Sequence, residues 1–397
     1  MFGLTTKKNI AIVINWVVMI YLVTTPAHLT AQTLKSDNKN NTKKSFSWPL
    51  QIEARVPNEP TVFPSGQHLY LFYELYLTNF GSSPIRIKNI EVVDADEKVI
   101  TPIATFDASQ LQTMIRSLGA TGTDSIGKLT ITPGKCAIIF MQVTIDRKTL
   151  MPDRILHRII SDNDTLNCGS IQTHQTNLQV FGPPLKGKDW LANDAPSNDE
   201  SNHHRRGIII LDGLSIHSRR YAIDWQKVKD GKPFLGDSRN VNAYFCYGEP
   251  VFAVADGQVI EAKDGLPDNI PGHGESFHPA VPITFETLGG NSLVIDHGNS
   301  HFAHYLHLKP GSLLVKAGDR VKKGQLIANI GASGDAREPH LHFEVTTSPT
   351  LLHGEGLPYV IDRYRLSPAK NGAASIHINE LPLDDEIVDF GEHKVEK

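Results

Sequence analysis

Short apolar segments that alternate with period two, separated by turn residues, run through most of this chain of 397 residues. Three of the clearest are "HLYLFYELYLTN" (68–79), "IRIKNIEVVD" (85–94) and "CAIIFMQVTID" (136–146). Aromatic and β-branched residues in such alternation favour strands, and few stretches show the 3.6-residue period of an amphipathic helix. The sequence therefore predicts an all-β protein.

Composition divides the predicted strands between two domains. Residues 49–182 carry no histidine or carboxylate cluster and predict an accessory β-sandwich of immunoglobulin-like type. Residues 183–202 are rich in Pro, Gly, Asp and Asn and predict a linker. A second β-rich domain is expected over residues 203–365, and the loosely patterned residues 366–397 predict a C-terminal tail.

The first 31 residues follow the order of a secretory signal peptide. Lys7 and Lys8 precede the apolar run 10–23, and small residues follow up to Ala31. This run is shorter than the roughly 20 residues of a spanning helix, although an uncleaved anchor is the alternative. Residues 32–48 are polar and predict a flexible spacer. We therefore expect an exported protein, periplasmic or extracellular, with no membrane span in the mature chain.

Charge and cysteine content constrain the function less. A formal net charge of −4 gives no reason to expect nucleic-acid binding. The three cysteines are compatible with an oxidising compartment. Cys136 and Cys168 fall in one predicted domain and could pair, which would leave Cys246 without an assigned role.

Histidines concentrate in the second domain, most informatively in "PHLHFEV" (339–345). Residues two apart in a strand face the same side, so His340 and His342 project together. Paired imidazoles on a rigid strand suit zinc, with one as ligand and the other free for acid–base work. A polar strand face with two surface histidines is the alternative. Asp224, His307 and the further histidines of residues 297–304 favour a site.

These motifs resemble those of the lysostaphin-type, LytM-like zinc metallopeptidases. The resemblance spans residues 250–345 through "PVFAVADGQVI", "GNSLVIDHGN", "YLHLKPGSLLVKAGDRVKKGQLIANIGASGD" and "PHLHFEV", in the family's order. It implies an antiparallel β-sheet peptidase domain, built on a duplicated hybrid motif, with a groove over the sheet. It also implies cleavage of peptide bonds, in peptidoglycan peptides or another protein substrate.

The resemblance assigns roles to four residues. Asp224 and His342 correspond to ligands of one zinc ion, and His307 and His340 to the two catalytic histidines. Zinc lowers the pKa of a bound water and polarises the scissile carbonyl. The two histidines would orient that water, accept its proton and stabilise the oxyanion.

One position departs from the family's H-x-G-x-D pattern. This chain has "RYAID" (220–224), so Arg220 stands where a histidine ligand is expected. His203, His204 and His217 are the nearby candidates for a replacement. Asp212-Gly213 predicts a two-residue hairpin that pairs residues whose numbers sum to about 425. A one-residue change in that register would bring His204 to the face of Asp224, and His204 is the predicted third ligand.

Two further charged residues have open interpretations. Arg220 could bind a substrate carboxylate or stabilise an oxyanion, or it could be an ordinary arginine paired with a carboxylate. Glu344 shares a strand face with His342 and could fix the tautomer of that histidine, or it could be solvated. The irregular insertion 264–290 holds His273 and His278, which reach the groove if the insertion folds over it.

Two other classes of function compete with a peptidase. A non-catalytic LytM-like module that binds cell wall or regulates another hydrolase is the main alternative, because one ligand position has changed. A carrier domain is the third, because "GDRVKKGQLIANIG" (318–331) resembles biotinyl and lipoyl domains. The histidine set has no purpose in a carrier, and it favours the enzyme over both alternatives.

Overall fold

The computed structural model describes residues 48–98, 101–118, 127–162, 164–176, 178–367 and 373–391. The predicted signal peptide and nearly all of the predicted spacer lie outside these ranges. The described residues belong to one compact unit. Within the described ranges, no helix has the length and apolar character that crossing a membrane requires.

Two five-stranded antiparallel sheets form the N-terminal part, as the sequence predicts for a β-sandwich. One sheet has the order β1-β3-β8-β6 with β2 beside β3, and the other β10-β9-β4-β5 with β7 beside β4. The bounds of these elements are β1 Ile52–Arg55, β2 Phe63–Ser65, β3 His68–Asn79, β4 Ile85–Asp94, β5 Pro102–Phe106, α1 Ala108–Met114, β6 Ile115–Ser117, β7 Thr130–Ile131, β8 Cys136–Asp146, β9 Arg154–Ser161 and β10 Thr165–Gln172. The immunoglobulin-like assignment remains a prediction.

Strand β3 is buried on both faces because it borders two hydrophobic cores. Leu71, Tyr73 and Leu75 pack into the sandwich core, whereas Tyr70 and Phe72 pack into the core of the C-terminal part. Strand periodicity assigns alternate residues to the two cores. Glu74 shares the face of Phe72 and is therefore directed toward the C-terminal part.

A ten-stranded sheet organises the C-terminal part, in the order β20-β17-β18-β19-β22-β15-β12-β26-β24-β25, with antiparallel pairing throughout. Its strands and the three small paired sets around it are β11 Gln179–Phe181, β12 Gly187–Asn193, β13 Ile209–Leu211, β14 Leu214–Ile216, β15 Ile223–Lys227, β16 Pro250–Phe252, β17 Gly257–Lys263, β18 Asn291–Asp296, β19 Phe302–Leu308, β20 Arg320–Val321, β21 Leu326–Asn329, β22 Leu341–Thr346, β23 Tyr359–Ile361, β24 Tyr364–Leu366, β25 Ser375–His377 and β26 Glu386–Phe390. Single 3-10 turns span Ser218–Tyr221, Val241–Ala243 and Gly274–Ser276.

Two predicted boundaries differ from this architecture. Residues 183–202, expected to form a linker, contain β12, which lies inside the ten-stranded sheet between β15 and β26. Trp190 and Ala192 on β12 are fully buried. The expected tail after residue 365 supplies β25 and β26 to the same sheet. In both places tertiary pairing outweighs a local composition that is typical of loops.

The three cysteines are free thiols. Cys136 lies on β8 and Cys168 on β10, which belong to different sheets of the sandwich. The pairing considered from the sequence is therefore not formed, and burial raises the pKa of both Cys168 and Cys246 above the ordinary thiol value.

Candidate metal centre

Asp224 and His342 face each other across two neighbouring central strands. Asp224 is on β15 and pairs in register with His342 on β22. Their side chains meet directly, with His342 Nδ1 2.8 Å from Asp224 Oδ1. His340 lies two residues before His342, and its Nε2 is 3.4 Å from the same oxygen. The shared orientation of His340 and His342 follows from the period of the strand.

His307 reaches the same place through an irregular backbone. It is next to Leu306, which pairs with His342, and regular alternation would direct His307 to the opposite face. However, the register between β18 and β19 shifts beside it, and His307 has φ 61°. A bulge with a left-handed residue re-aims a side chain, and such conformations concentrate at functional sites. The rings of His307 and His340 lie 4.7 Å apart.

His204 arrives from the loop after β12 and not from the hairpin considered from the sequence. The hairpin forms with the predicted register, since Ile209 pairs with Ile216 and Leu211 with Leu214. Its ladder ends before reaching His204. Instead, the loop that follows β12 turns back, and His204 Nδ1 bonds the carbonyl of Asp194 at 2.8 Å. His204 Nε2 then lies 3.4 Å from Asp224 Oδ1.

The atoms around Asp224 suit a tetrahedral zinc ion. Two ligands held at about 2.0–2.1 Å from zinc lie about 3.3 Å apart. His204 Nε2 and His342 Nδ1 lie 3.4 and 2.8 Å from Asp224 Oδ1. Within the described part of the chain, the buried His204 Nε2 has no hydrogen-bond partner. A buried nitrogen without a partner is costly unless something binds it.

His203 is a competing donor beside this set. Its Nε2 lies 3.7 Å from Asp224 Oδ2, and donor atoms of His203, His204 and Asp224 lie within 4.8 Å of one another. The side chain of His203 is 53% exposed, whereas those of His204 and His342 are 2% and 5% exposed. We favour His342 over His203 as a ligand because its nitrogen is closer to Asp224 and is shielded from water.

Main-chain bonds fix the tautomers of the histidines. His307 Nδ1 donates to the Ser333 carbonyl at 2.9 Å, and His340 Nδ1 to the Glu338 carbonyl at 2.8 Å. His204 has the same kind of bond to Asp194. A histidine that donates from Nδ1 keeps a lone pair on Nε2 when it is neutral. His204 can therefore coordinate through Nε2, and His307 and His340 can accept a proton there.

Burial and the local charges determine the protonation of these groups. Burial, reinforced by the neighbouring histidines, holds the pKa values of His204 and His307 well below the ordinary histidine value. Burial opposes the charged form of His342 as well, but its hydrogen bond to Asp224 and the nearby Glu344 carboxylate raise its pKa to about 9. Burial would raise the pKa of Asp224, yet His340, His204 and His342 hold it well below its ordinary value. The carboxylates of Asp224 and Glu344, which favour the charged form of His342, also favour a cation bound beside them.

Glu344 lies behind His342 and is completely buried. One of its oxygens is 3.7 Å from His342 Nε2. Among the described residues, neither carboxylate oxygen has a hydrogen-bond partner. A carboxylate on the distal nitrogen of a ligating histidine orients the ring and strengthens it as a ligand. This position supports the tautomer-fixing interpretation of Glu344 over a solvated one.

A groove of about 640 Å³ opens over the site. The insertion 264–290 forms part of its wall through His273, Ile283 and Leu288, and His273 Nε2 contacts Glu338 at 2.7 Å. His278 is not among the lining residues. The side chains that line the groove include Asn193, Asp194, His203, Arg219, Asp224, Gln226, His273, Ile283, Leu288, Leu306, His307, Asp335, Arg337, Glu338, His340, His342, Glu344, Leu351 and Leu352.

Arg219, which the sequence did not single out, lines the groove beside the predicted ligands. Its Nε is buried without a hydrogen-bond partner, and it forms no ion pair with any described carboxylate. A Cβ on Gly207 would lie 2.8 Å from Arg219 Nη2, so a glycine there leaves room for the guanidinium. The charge of Arg219 contributes to the lowered pKa values of His204 and Glu344.

The structure does not bring Arg220 to the groove, which corrects the expectation of a substrate or oxyanion contact. Strand β15 begins only at Ile223, and Arg220 lies in the preceding 3-10 turn Ser218–Tyr221, from which its side chain points away from Asp224. Its guanidinium is buried against Glu74 at 2.7 Å and Glu355 at 2.9 Å. His217 also contacts Glu74, at 3.0 Å, and is not a ligand in this arrangement.

Three further histidines of the second domain make contacts away from the groove. His297 Nδ1 bonds the Asp256 carbonyl and His301 Nδ1 bonds the Asn299 carbonyl. His304 is buried and contacts Thr346. None of these three is among the groove-lining residues.

Comparison with known proteins agrees with this geometry. Residues 240–353 match the model of peptidase family M23. Over 98 residues the chain is 40% identical to peptidoglycan DD-endopeptidase ShyB of Vibrio cholerae serotype O1, covering 25% of this chain and 18% of the relative. Over 150 residues it is 32% identical to glycyl-glycine endopeptidase ALE-1 of Staphylococcus capitis, covering 36% and 35%. Lysostaphin of Staphylococcus staphylolyticus matches at 32% over 134 residues, covering 32% and 23%.

A histidine–aspartate centre in a groove over an antiparallel sheet is the arrangement that the resemblance to LytM-like peptidases implies. The C-terminal part of this chain is similar to enzymes of peptidase family M23 over residues 240–353. The match covers less than a fifth of the length of ShyB.

Proposed function

We propose that this protein is an exported zinc metalloendopeptidase that hydrolyses peptide bonds in peptidoglycan stem or cross-link peptides. The observation that carries the proposal is the convergence of His204 Nε2 and His342 Nδ1 on Asp224 Oδ1, with His340 Nε2 beside them. One zinc ion held by Asp224, His342 and His204 would lower the pKa of a bound water and polarise the scissile carbonyl.

His307 and His340 would handle protons and the developing negative charge. Both keep an Nε2 lone pair beside the site because their Nδ1 atoms donate to carbonyl groups. A neutral histidine in that position accepts a proton from water and returns it to the leaving amine. Once protonated, it donates to an oxyanion.

Arg219 would bind a carboxylate of the substrate. It takes the role that the sequence suggested for Arg220, since it lines the groove and has no ion-pair partner among the described side chains. A guanidinium binds a carboxylate through two parallel hydrogen bonds. This supports a substrate with a carboxylate close to the scissile bond.

Digestion of purified peptidoglycan, followed by the release of free amines, tests the activity. We expect amine release with the zinc-loaded protein, loss on chelation, and recovery when zinc is restored. The matched control is His340→Gln, which should retain zinc and release amines far more slowly. Zinc-loaded protein that releases no amine from several peptidoglycan types would contradict the proposal.

A non-catalytic cell-wall module is the second candidate, favoured by the substitution of Arg220 for the expected ligand. Such a module would bind peptidoglycan without releasing amines, and its binding would not change on chelation. A co-sedimentation assay run beside the amine assay separates the two functions.

Export is proposed from the order of basic, apolar and small residues in the first 31 positions. Mass spectrometry of the native protein from its producing cells tests this. A mature N-terminus near residue 32 in an extracytoplasmic fraction is expected, and a full-length chain retained in the membrane would instead support an uncleaved anchor.

A further inference from the structure

A buried ion cluster joins the sandwich to the loop that carries the predicted third ligand. The Glu74 cluster consists of Glu74 on β3 together with Arg205, His217, Arg220 and Glu355 from the C-terminal part. Arg205 Nη1 and His217 Nδ1 both contact Glu74 Oε1, and Arg220 Nη2 lies 2.7 Å from Glu74 Oε2. Glu74, Arg205, His217 and Arg220 are each 5% exposed or less. Buried charges of this kind are retained when they are paired.

Arg205 anchors the ligand loop from its own backbone position next to His204. Its guanidinium enters the sandwich, where Nη2 donates to the carbonyls of Tyr73 at 2.9 Å and Met141 at 3.0 Å. It also lies over the ring of Phe140, 5.0 Å from the ring centre. Every one of these partners belongs to the sandwich, so the backbone next to His204 is fixed by a different part of the chain.

His217 adds a second connection between Glu74 and His204. Its Nδ1 contacts Glu74 Oε1 at 3.0 Å, and its Nε2 lies 2.9 Å from the His204 carbonyl. Burial lowers the pKa of His217. The guanidinium groups of Arg205 and Arg220 also face carboxylates of the cluster, those of Glu74 and Glu355.

We infer that Glu74 is a positioning residue for the metal site, so that the sandwich completes the coordination of the metal through His204. Glu74 does not touch the predicted ligands. It holds Arg205, which follows His204 in the chain, and His217, which contacts the His204 carbonyl. These two contacts fix the backbone at His204. The substitution at Arg220 fits the same arrangement, because the side chain at the expected ligand position contributes to the cluster that positions its replacement. This inference rests on the proposed function, specifically on zinc bound by His204.

A second buried glutamate supplies a matched control. Glu380 also joins the two parts of the molecule, through Arg147 at 2.5 Å and the Gly66 amide at 2.7 Å. Glu380 and Glu74 are 7% and 4% exposed. Neither Glu380 nor its partners contact the loop that carries His204. Glu380→Gln therefore weakens the contact between the same two parts without disturbing the ligand.

The experiment measures the zinc affinity of the full chain by competition with a chelator, for the parent, Glu74→Gln, Glu74→Asp and Glu380→Gln. Losing a group that orients a metal ligand typically weakens metal binding about 10–100-fold. We expect that loss for Glu74→Gln, a smaller loss for Glu74→Asp, and an affinity within about twofold of the parent for Glu380→Gln. Circular dichroism and thermal unfolding of the apo forms identify any variant that fails to fold, in which case Glu74→Asp carries the test.

Each outcome separates this inference from the proposed function. A parent that binds no zinc contradicts the proposed function and the inference with it. A parent that binds zinc while folded Glu74→Gln and Glu74→Asp bind it equally well contradicts the inference alone. Equal losses in Glu74→Gln and Glu380→Gln also contradict it, because they would indicate a general effect of loosening the two parts.

Discussion

Replacing His204 by alanine tests the assignment of the third zinc ligand. Apparent binding free energies of four-ligand zinc sites are about 10–16 kcal/mol, so one ligand accounts for about 2.5–4 kcal/mol. At 1.4 kcal/mol per factor of ten, His204→Ala should weaken zinc binding about 10²–10³-fold. Chelator competition at fixed pH measures this difference.

His204→Ala should also lower the free energy of unfolding of the metal-free protein, by an amount that follows from the lost contacts of the imidazole. The buried His204 imidazole makes one main-chain hydrogen bond, to Asp194. Losing such a bond and leaving a buried carbonyl unpaired costs about 1–3 kcal/mol. His157, in the sandwich, is also buried and bonds the Gly169 carbonyl, and its pKa is lowered to about 4 by burial. Because His157 also bonds the Tyr73 hydroxyl at 2.8 Å, His157→Ala should have at least as large a stability cost, with unchanged zinc affinity.

His203→Ala distinguishes the two adjacent histidines. His203 is half exposed, and its Nε2 lies 3.7 Å from Asp224, so its removal should change zinc affinity by less than about tenfold. A large loss in His203→Ala, with His204→Ala unaffected, would refute the assignment of His204.

Three other predictions concern catalysis, substrate binding and acid stability. His307→Gln and His340→Gln should each lower kcat about 10²–10⁴-fold while zinc remains stoichiometric; loss of zinc would show a ligand role instead. Arg219→Gln should lower kcat/KM about 10–100-fold for a substrate with a nearby carboxylate, whereas Arg220→Gln should mainly lower the unfolding temperature. The reverse pattern would contradict the placement of the two arginines. Burial would raise the pKa of Glu74, but Arg220 and the other partners of Glu74 hold that pKa well below 4.5. The ionised Glu74 carboxylate therefore stabilises the fold fully above pH 4.5, and this stabilisation is lost as the pH falls toward the pKa of the folded state. Urea unfolding of the parent and Glu74→Gln should therefore converge below pH 4.5, and a constant difference would contradict this.

The local sequence pattern was sufficient to predict three long strands of the sandwich and the register of one hairpin. The three long segments read as strands correspond to β3, β4 and β8 with the same bounds. The turn at Asp212-Gly213 also set the register of β13 and β14 as predicted. These features depend on alternation and turn chemistry, which are properties of neighbouring residues.

The parts that the sequence did not reveal depend on contacts between distant residues. Arg220 does not reach the groove, because Glu74, 146 positions earlier, binds its guanidinium in the core. His204 reaches Asp224 through a loop held by Asp194 and by the contacts of Arg205, and no spacing rule describes that path. The adjacent His204 and Arg205 are the residues that could have indicated this path of the loop. A histidine–arginine pair is too common in sequences to predict it.

The zinc content of the purified full chain is the most direct test of whether Asp224, His342 and His204 form a zinc site. After equilibration with excess zinc and removal of the unbound metal, we expect one zinc ion per chain, reduced in parallel in Asp224→Ala and His342→Ala. A parent protein that retains no stoichiometric zinc under these conditions would contradict it.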